Sequence, residues 1–589
     1  MAKRQFSQAD KTSLKNFMPY LGHYRGAILG AFVSGILGGG SSVIVTYEVG
    51  RAVNQIKGTH DVDFAHLFPI LGLLLLLYVI NVVTVWAINL FVNQVGYFAV
   101  RDLRNDAFQH LNSLPVQFFD EHSEGDLLSR FTSDLDFVSD AIVQIFNTLF
   151  SGMMIVALSF VFMLFLSPIL TIVVACATVL MYIVTMAVAR GSQFYFSKQQ
   201  KILGQISGFV TEYVGQQKTV KAFTEEKHEE HSFSKLNNNY YTWGQKATFV
   251  SALSNPTTRF VDHLGYLSIG VVGGLMILGG YPGISVGLIS SFILYSSQFT
   301  TPFQNLSAVT QQIQTALAGL TRIFQVVEAT PEPSDADKQQ LLTAPKEIDF
   351  DHVYFAYEPD EPLIENLNLA VHNGESVAIV GETGAGKTTL VNLLMRFYDV
   401  NSGAIQVDGN DIRSYTRDSY RRQFGMVLQD TWIFKGTVRE NLTFGNPDAT
   451  DAQIKAAIHD AQLDHFIASL PNGLDTVIGG NATSISSGQM QLLTIARVML
   501  MNPPILILDE ATSELDTLTE ADIQHALDIL MKGKTSFVIA HRLATIQNAD
   551  TILVMAHGHI VEMGNHQELL AKKGAYYDLY NAQFKGKKI

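Results

Sequence analysis

The chain has 589 residues, 47% of them hydrophobic and only 16% charged, a balance too apolar for an ordinary soluble enzyme and too charged for a pure membrane bundle. Two unlike parts are therefore expected, in line with a mean hydropathy of +0.18. The formal net charge of -14 argues against nucleic acid as the main partner, because phosphate backbones demand clustered Lys and Arg.

The polar start, MAKRQFSQADKTSLKNF, reads as no cleavable signal peptide. Gly26 to Tyr47 and Leu67 to Val92 then carry no charge, and each reaches the ~20 apolar residues that cross a bilayer. Glu48 and Arg51, three apart after the first run, are spaced to pair on a helix near the outer face. Ala141 to Ala189 is uncharged throughout with Ser167-Pro168 in its middle, which predicts two spans joined by a tight turn. This run holds Cys176, the single cysteine, so a disulfide framework or cysteine-based metal site within one chain is excluded. Leu264 to Thr321 is also uncharged and is broken by GGYPG at Gly279 to Gly283, which predicts two more spans, the second continuing as a polar helix. The total is six. Arg259, Asp262 and His263 form a small charged group at the start of span five: facing the bundle interior they are functional candidates, against the plainer reading as the cytoplasmic part of that helix, since charges cost more at greater depth.

The connections after spans two and four are long, lack turn clusters and read as helical extensions of the spans. They carry Arg101, Arg104, Arg130, Lys198, Lys201, Lys218, Lys221 and Lys227, whereas the tight turns carry no charge. Positive segments stay inside, so both termini and both long connections are expected in the cytoplasm. The membrane part is expected over 1–326. Residues 327–346 have the Pro, Ala and acidic content of a linker. Residues 347–589 alternate short β-branched runs with helices, the pattern of an α/β domain with a partly parallel sheet.

In SVAIVGETGAGKTTLVNLLMRFY, Ser376 to Val380 reads as a strand and Thr388 onward as a helix. The loop between them (Gly381, Glu382, Thr383, Gly384, Ala385, Gly386, Lys387, Thr388, then Thr389) fits the phosphate-binding pattern. Its glycines let backbone N–H groups turn inward, and the helix N-terminus adds partial positive charge. Lys387 is expected to reach the β- and γ-phosphates of ATP, and Thr388 to ligate Mg²⁺. In ILILDEATSELD, a buried strand ends in Asp509, expected on Mg²⁺, and Glu510, expected to polarise the attacking water. Gln429 in MVLQDTWIF follows a strand and suits sensing of Mg²⁺ and water; His541 in FVIAHRL ends another and suits the γ-phosphate. Tyr357 is a candidate for stacking on adenine, against the plainer reading of a half-buried strand aromatic.

Six spans followed by these motifs resemble an ABC exporter half-transporter: an α-helical six-span membrane domain, then an α/β P-loop ATPase domain. The resemblance covers almost the whole chain. It makes Gly381 to Thr388 the Walker A loop, Gln429 the Q-loop, Ile485 to Gln489 the signature, Ile505 to Glu510 Walker B, Ser513 to Asp516 the D-loop and His541 the switch histidine. QFFDEHSEGDLLSRFTSDLDFV and GQQKTVKAFTEE resemble the two intracellular connections, whose tips form coupling helices on the ATPase domains. The resemblance implies a dimer closing head-to-tail on two ATP molecules, with Ser486, Ser487, Gly488 and Gln489 of one chain touching the ATP of the other. The family signature is Leu-Ser-Gly-Gly-Gln, and Ser487 replaces its first glycine. A Cβ there restricts left-handed backbone, and an altered signature beside an intact Glu510 and His541 matches one half of a heterodimer. The expected activity is ATP-driven efflux of hydrophobic or amphiphilic compounds, drugs or lipids, across the cytoplasmic membrane of a bacterium. The alternatives are a homodimeric lipid or peptide exporter and an exporter-fold importer.

Overall fold

Where the sequence loses its charges, the chain is helical. The structure, a computed structural model, describes residues 8–58, 61–358, 361–382, 384–429, 431–479, 485–509, 517–540 and 543–584. It divides into two compact units, Met1–Leu114 with His122–Thr330, and Pro115–Glu121 with Pro331–Ile589.

In the first unit, α1 (Gln8–Gly22) and α2 (Arg25–Asn54) precede a small hairpin, β1 (Ile56–Gly58) and β2 (Asp61–Val62), and then α3 (Phe64–Leu111). Helix α4 (Val116–Asp120) groups with the second unit. Next come α5 (Glu124–Ser129), a π turn at Arg130–Asp134, α6 (Leu135–Asn147), a second π turn at Thr148–Met153, and α7 (Met154–Leu166). The unit closes with α8 (Pro168–Gly215), α9 (Gln217–Phe223), α10 (Glu226–Ala252), α11 (Ser254–Leu278) and α12 (Val286–Val327). Among the described residues, five helical stretches are long and apolar enough to cross a membrane. The 42-residue α12 follows the GGYPG loop, with the side chains of 303–308, 310 and 311 outside the described set.

The breaks have local causes. Ser167 is extended (φ -160°, ψ 104°) and caps α8 by accepting from the Leu170 amide, while Pro168 takes a first-turn position where its missing N–H removes no bond. Ser285 Oγ caps α12 by accepting from Leu288 N at 3.1 Å. Helices α3 and α8 each run 48 residues, ~72 Å at 1.5 Å per residue. That is more than twice the ~30 Å hydrocarbon thickness, so the long connections are indeed extensions of the spans. Arg51 Nη1 donates to Glu48 Oε1 at 3.0 Å and Oε2 at 3.2 Å, the expected pair. Glu48 is only 5% exposed, and the guanidinium is what makes that burial tolerable.

The second unit runs β3 (Glu347–Phe355), β4 (Ile364–His372), β5 (Ser376–Gly381), α13 (Lys387–Leu394), β6 (Ser402–Val407), β7 (Asn410–Asp411), α14 (Arg417–Arg421) and β8 (Phe424–Val427). A helical stretch follows: β9 (Gly436–Thr437), α15 (Val438–Leu442), α16 (Asp451–Asp460), α17 (Asp464–Ser469), β10 (Val477–Ile478) and α18 (Ser487–Met501). After it come β11 (Ile505–Asp509), α19 (Thr517–Met531), β12 (Thr535–Ile539), α20 (Leu543–Asn548), β13 (Thr551–Ala556) and β14 (His559–Gly564). One sheet is antiparallel, ordered β4-β3-β6-β7; the larger is ordered β14-β13-β5-β12-β11-β8, parallel from β13 to β8.

From β13 to β8 the larger sheet is buried on both faces, so these strands read as unbroken apolar runs, whereas the edge strand β14 alternates. Ala378, Val380, Leu506, Leu508 and Val538 face a core shared with Leu492, Leu493 and Ile495 of α18. Val377, Ile379, Ile505, Ile507 and Phe537 face another, shared with Leu390, Leu393 and Leu394 of α13 and with the antiparallel sheet. The phosphate-loop helix and the signature helix thus cover opposite faces. The stretch read as a linker is tied down within this unit: Arg417 Nη1 donates to Asp335 Oδ1 at 2.6 Å and to the Pro333 carbonyl at 2.9 Å.

Candidate functional site

A parallel sheet delivers the C-terminal ends of its strands to one edge, where open α/β sheets bind ligands. Register fixes the levels: Ile379 pairs with Ile539, Ile539 with Asp509, and Leu508 with Val427. Gly381 closes β5 and Asp509 closes β11, while an exposed Gln429 follows β8 by two residues. Three sequence segments far apart in the chain therefore meet at one sheet edge. Thr383, Glu510, Ser513 to Asp516 and His541 lie outside the described residues; β11 leads to the first acidic residue, Asp509, and β12 to Ala540, just before His541.

Two glycines of the loop have reasons in the structure. A Cβ on Gly381 would sit 2.3 Å from the Met555 carbonyl oxygen of β13, and Gly386 caps α13 with φ +96°, a left-handed conformation. Glu382, Gly384 and Thr388 are exposed, while Ala385 and Thr389 are buried. Lys387 folds back over the loop, its Nζ donating to the Gly381 carbonyl at 2.8 Å and the Glu382 carbonyl at 3.0 Å. These are neutral acceptors, which anionic phosphate oxygens outcompete for an ammonium. Burial holds the Lys387 ammonium below its usual lysine value, and the nearby Asp509 carboxylate opposes that shift.

Magnesium fits this donor set. Thr388, Gln429 and Asp509 offer the hard oxygen ligands it prefers. Among the described residues no three His, Cys, Asp or Glu side chains group to hold a metal ion. A cation here would depend on phosphate oxygens for much of its shell, the usual situation for Mg²⁺.

Tyr357 stands beside the first turn of α13: its hydroxyl donates to Thr389 Oγ1 at 3.3 Å and accepts from Asn392 Nδ2 at 3.3 Å. The ring is 44% exposed and meets Phe355 and Tyr398 edge-on at 4.9 and 5.0 Å between centroids. Asn392 and Tyr398 were missed in the sequence because no motif marks them. Tyr398 also donates to Asp120 Oδ2 of α4 at 2.5 Å, and Asp120 belongs to the stretch that resembles the first intracellular connection.

The signature opens α18 with a capping box. Ser486 Oγ accepts from Gln489 N at 3.2 Å, and Gln489 Oε1 accepts from Ser486 N at 3.1 Å. Ser486 therefore spends an acceptor lone pair inside the helix and keeps its O–H for another oxygen. Ser487 is the first helical residue and is not among those with positive φ. The steric expectation attached to it is corrected: right-handed helix is open to any L-residue, so a Cβ at 487 strains nothing in this chain. Gly488 is buried, whereas Ser486 and Ser487 are exposed.

The comparisons agree with this geometry. Residues 28–303 match the ABC transporter transmembrane region family, and residues 364–513 match the ABC transporter family. An uncharacterized ABC transporter ATP-binding protein, YfiC of Bacillus subtilis (strain 168), is 37% identical over 589 residues, covering 99% of this chain and 96% of the relative. A fatty acid ABC transporter ATP-binding/permease protein of Mycobacterium bovis (strain ATCC BAA-935 / AF2122/97) is 40% identical over 530 residues, 90% of this chain and 83% of the relative. A solved bacterial Atm1-family ABC exporter with ATP bound superposes with a TM-score of 0.72 at 28% identity, over 95% of this chain and 98% of that one. With an apolar helical unit fused to a phosphate-loop sheet of matching motifs, the chain belongs to the ABC transporter family, as an exporter-type half-transporter whose ATPase is coupled to movement of substances across a membrane.

Proposed function

We propose that this chain is one half of a dimeric, ATP-driven exporter of amphiphilic compounds in the cytoplasmic membrane of a bacterium, and that the other half is a different, homologous chain. The observation that carries the ATP-driven part is the convergence of the phosphate loop, Gln429 and Asp509 at one edge of the parallel sheet. In this reading Lys387 exchanges its two carbonyl acceptors for β- and γ-phosphate oxygens, and Tyr357 stacks on adenine. Thr388, Gln429 and Asp509 would hold Mg²⁺, which when bound would supply positive charge opposite the phosphates. Glu510 polarises the attacking water, and His541 contacts the γ-phosphate.

The need for a second chain is supported by α13 and α18 covering opposite faces of the sheet. A signature at the start of α18 suits the nucleotide of a neighbour better than its own. There Ser486, Ser487, Gly488 and Gln489 offer a free hydroxyl and backbone N–H groups at a helix start. The Lys- and Arg-bearing long connections support cytoplasmic termini and a cytoplasmic ATPase unit.

The heterodimer rests on Ser487 beside an intact Glu510 and His541. A homodimer is the second reading, and one observation favours it: the helical backbone at 487 accepts serine without strain. ATP turnover of the purified chain alone, reconstituted in nanodiscs, separates the two. Turnover stimulated by amphiphiles to the level of the family's complete transporters, with no second subunit present, means a homodimer; turnover only after a homologous subunit is added means a heterodimer.

A further inference from the structure

Inside the first unit, a cavity of about 480 Å³ is lined by Gln144, Asn147, Thr148, Ser151, Ser297 and Gln298 among others. A second, of about 220 Å³, shares Ser297 and Gln298 with it and adds Ser42, Thr46 and Asn81. No Asp, Glu, Lys, Arg or His is among the described residues lining either. The side chains of α12 outside the described set introduce no charge, because Leu264 to Thr321 is uncharged throughout.

One wall departs from regular helix where the larger cavity lies, and the other carries a proline. The π turn at Thr148–Met153 re-aims Thr148 and Ser151, and such turns are common at functional sites. Opposite, Pro302 lies within the continuous α12, with Gly152 of the π turn against it: a Cβ there would lie 3.5 Å from Pro302 Cβ. Pro302 has no N–H to give the carbonyl four residues before it, and that carbonyl belongs to Gln298. The Gln298 side chain adds a second acceptor. Its Nε2 is spent on Thr46 Oγ1 at 2.9 Å and Ser42 Oγ at 3.3 Å. Its Oε1 is buried with no hydrogen-bond partner among the described residues. The Thr46 hydroxyl proton goes to the Ser42 carbonyl at 3.0 Å, so turning the amide over would not satisfy both ends.

A charge-free, amide- and hydroxyl-lined hollow offers no counter-ion to a carboxylate or phosphate, and at membrane depth an unpaired ion is costly. What it lacks at Gln298 is a donor. We propose that this site selects neutral amphiphiles bearing hydroxyl or amide N–H donors, with Gln298 as the acceptor that reads them, over anionic and donor-free ones. The inference rests on the exporter reading above and names its substrate class.

The test uses the assembled transporter in nanodiscs and three fluorescent probes sharing one acyl chain and label. These are a ceramide, the same ceramide with its hydroxyls and amide methylated, and the free fatty acid. Binding is read by anisotropy without nucleotide, and ATP turnover is read with each probe. The ceramide is expected to bind about tenfold more tightly than either comparator, the worth of one well-made hydrogen bond. Gln298→Met is expected to erase most of that preference, and the wild-type probe series stands without the variant should it not fold. Equal or tighter binding of the fatty acid or of the methylated ceramide overturns the inference while leaving the exporter reading intact, provided ATP turnover responds. If no probe binds and none alters turnover, both fall.

Discussion

The two units carry their chemistry in opposite ways. In the nucleotide unit, the proposed function depends on single residues fixed by backbone geometry: Gly381 under the Met555 carbonyl, Lys387 over the loop, Asp509 at a strand end. In the membrane unit, polar groups are spread over several helices and leave no contiguous pattern; Gln298 and Asn81 matter by where helix packing brings them. In the proposed reading the nucleotide unit binds phosphates, which every nucleotide shares, and so repeats one solution, whereas the membrane unit would bind what differs between transporters. Single substitutions should therefore be severe in the nucleotide unit and graded in the membrane unit.

The largest effect is expected for Lys387→Ala, which removes the ammonium that folds over the loop. ATP turnover in nanodiscs should fall ~10²–10³-fold, the range for loss of a preorganised electrostatic contact. A fall of less than tenfold would remove Lys387 from the site. The membrane unit's exception to graded behaviour should be Arg51→Ala, which strands the buried Glu48 carboxylate and should destabilise the fold by ~3 kcal/mol. Thermal unfolding in nanodiscs reads this as a lowered midpoint, and Glu48→Gln in the same background should restore much of the loss. An unchanged midpoint for Arg51→Ala would make the pair incidental.

Tyr357→Ala should weaken nucleotide binding about tenfold, the order of one base–aromatic stack, with Tyr357→Phe close to wild type. If Phe is as weak as Ala, the hydroxyl bridge to Thr389 and Asn392 is what matters instead. The smallest effect is expected for Ser487→Gly. In a heterodimer it restores the family signature at the second site and should mainly alter occupancy or closure there, raising turnover at most about twofold, since one site already works. In a homodimer it should change turnover little, while loosening the first turn of α18 through glycine's backbone freedom.

The architecture was legible in the sequence because its signals are dense. Uncharged runs with Ser167-Pro168 and GGYPG marked the helix breaks, and apolar strand runs marked a sheet buried on both faces. The phosphate loop and Asp509 were legible because close backbone approach and a strand-end carboxylate leave few residue choices. Other features had no such mark. The capping box linking Ser486 to Gln489 is present in the sequence as Ser-x-x-Gln, but it coincides with the signature and is masked by it. Ser487 was read through glycine's left-handed freedom, yet the position is helical and needs none. Tyr398 and Asn392 become neighbours of Tyr357 only through tertiary packing. The freed Gln298 carbonyl does follow from Pro302 lying in a helix, but the unpaired side-chain oxygen beside it depends on the register of α2 against α12.

In the proposed function, nucleotide chemistry at the sheet edge drives movement through the membrane unit. The most direct measurement of this coupling is ATP-dependent uptake of a labelled amphiphile into sealed inside-out vesicles holding the assembled transporter, wild type against Lys387→Ala at equal insertion. Uptake that requires ATP and falls at least ~100-fold in the variant is the result this account predicts. Equal uptake by the two proteins, or uptake indifferent to ATP, would contradict it.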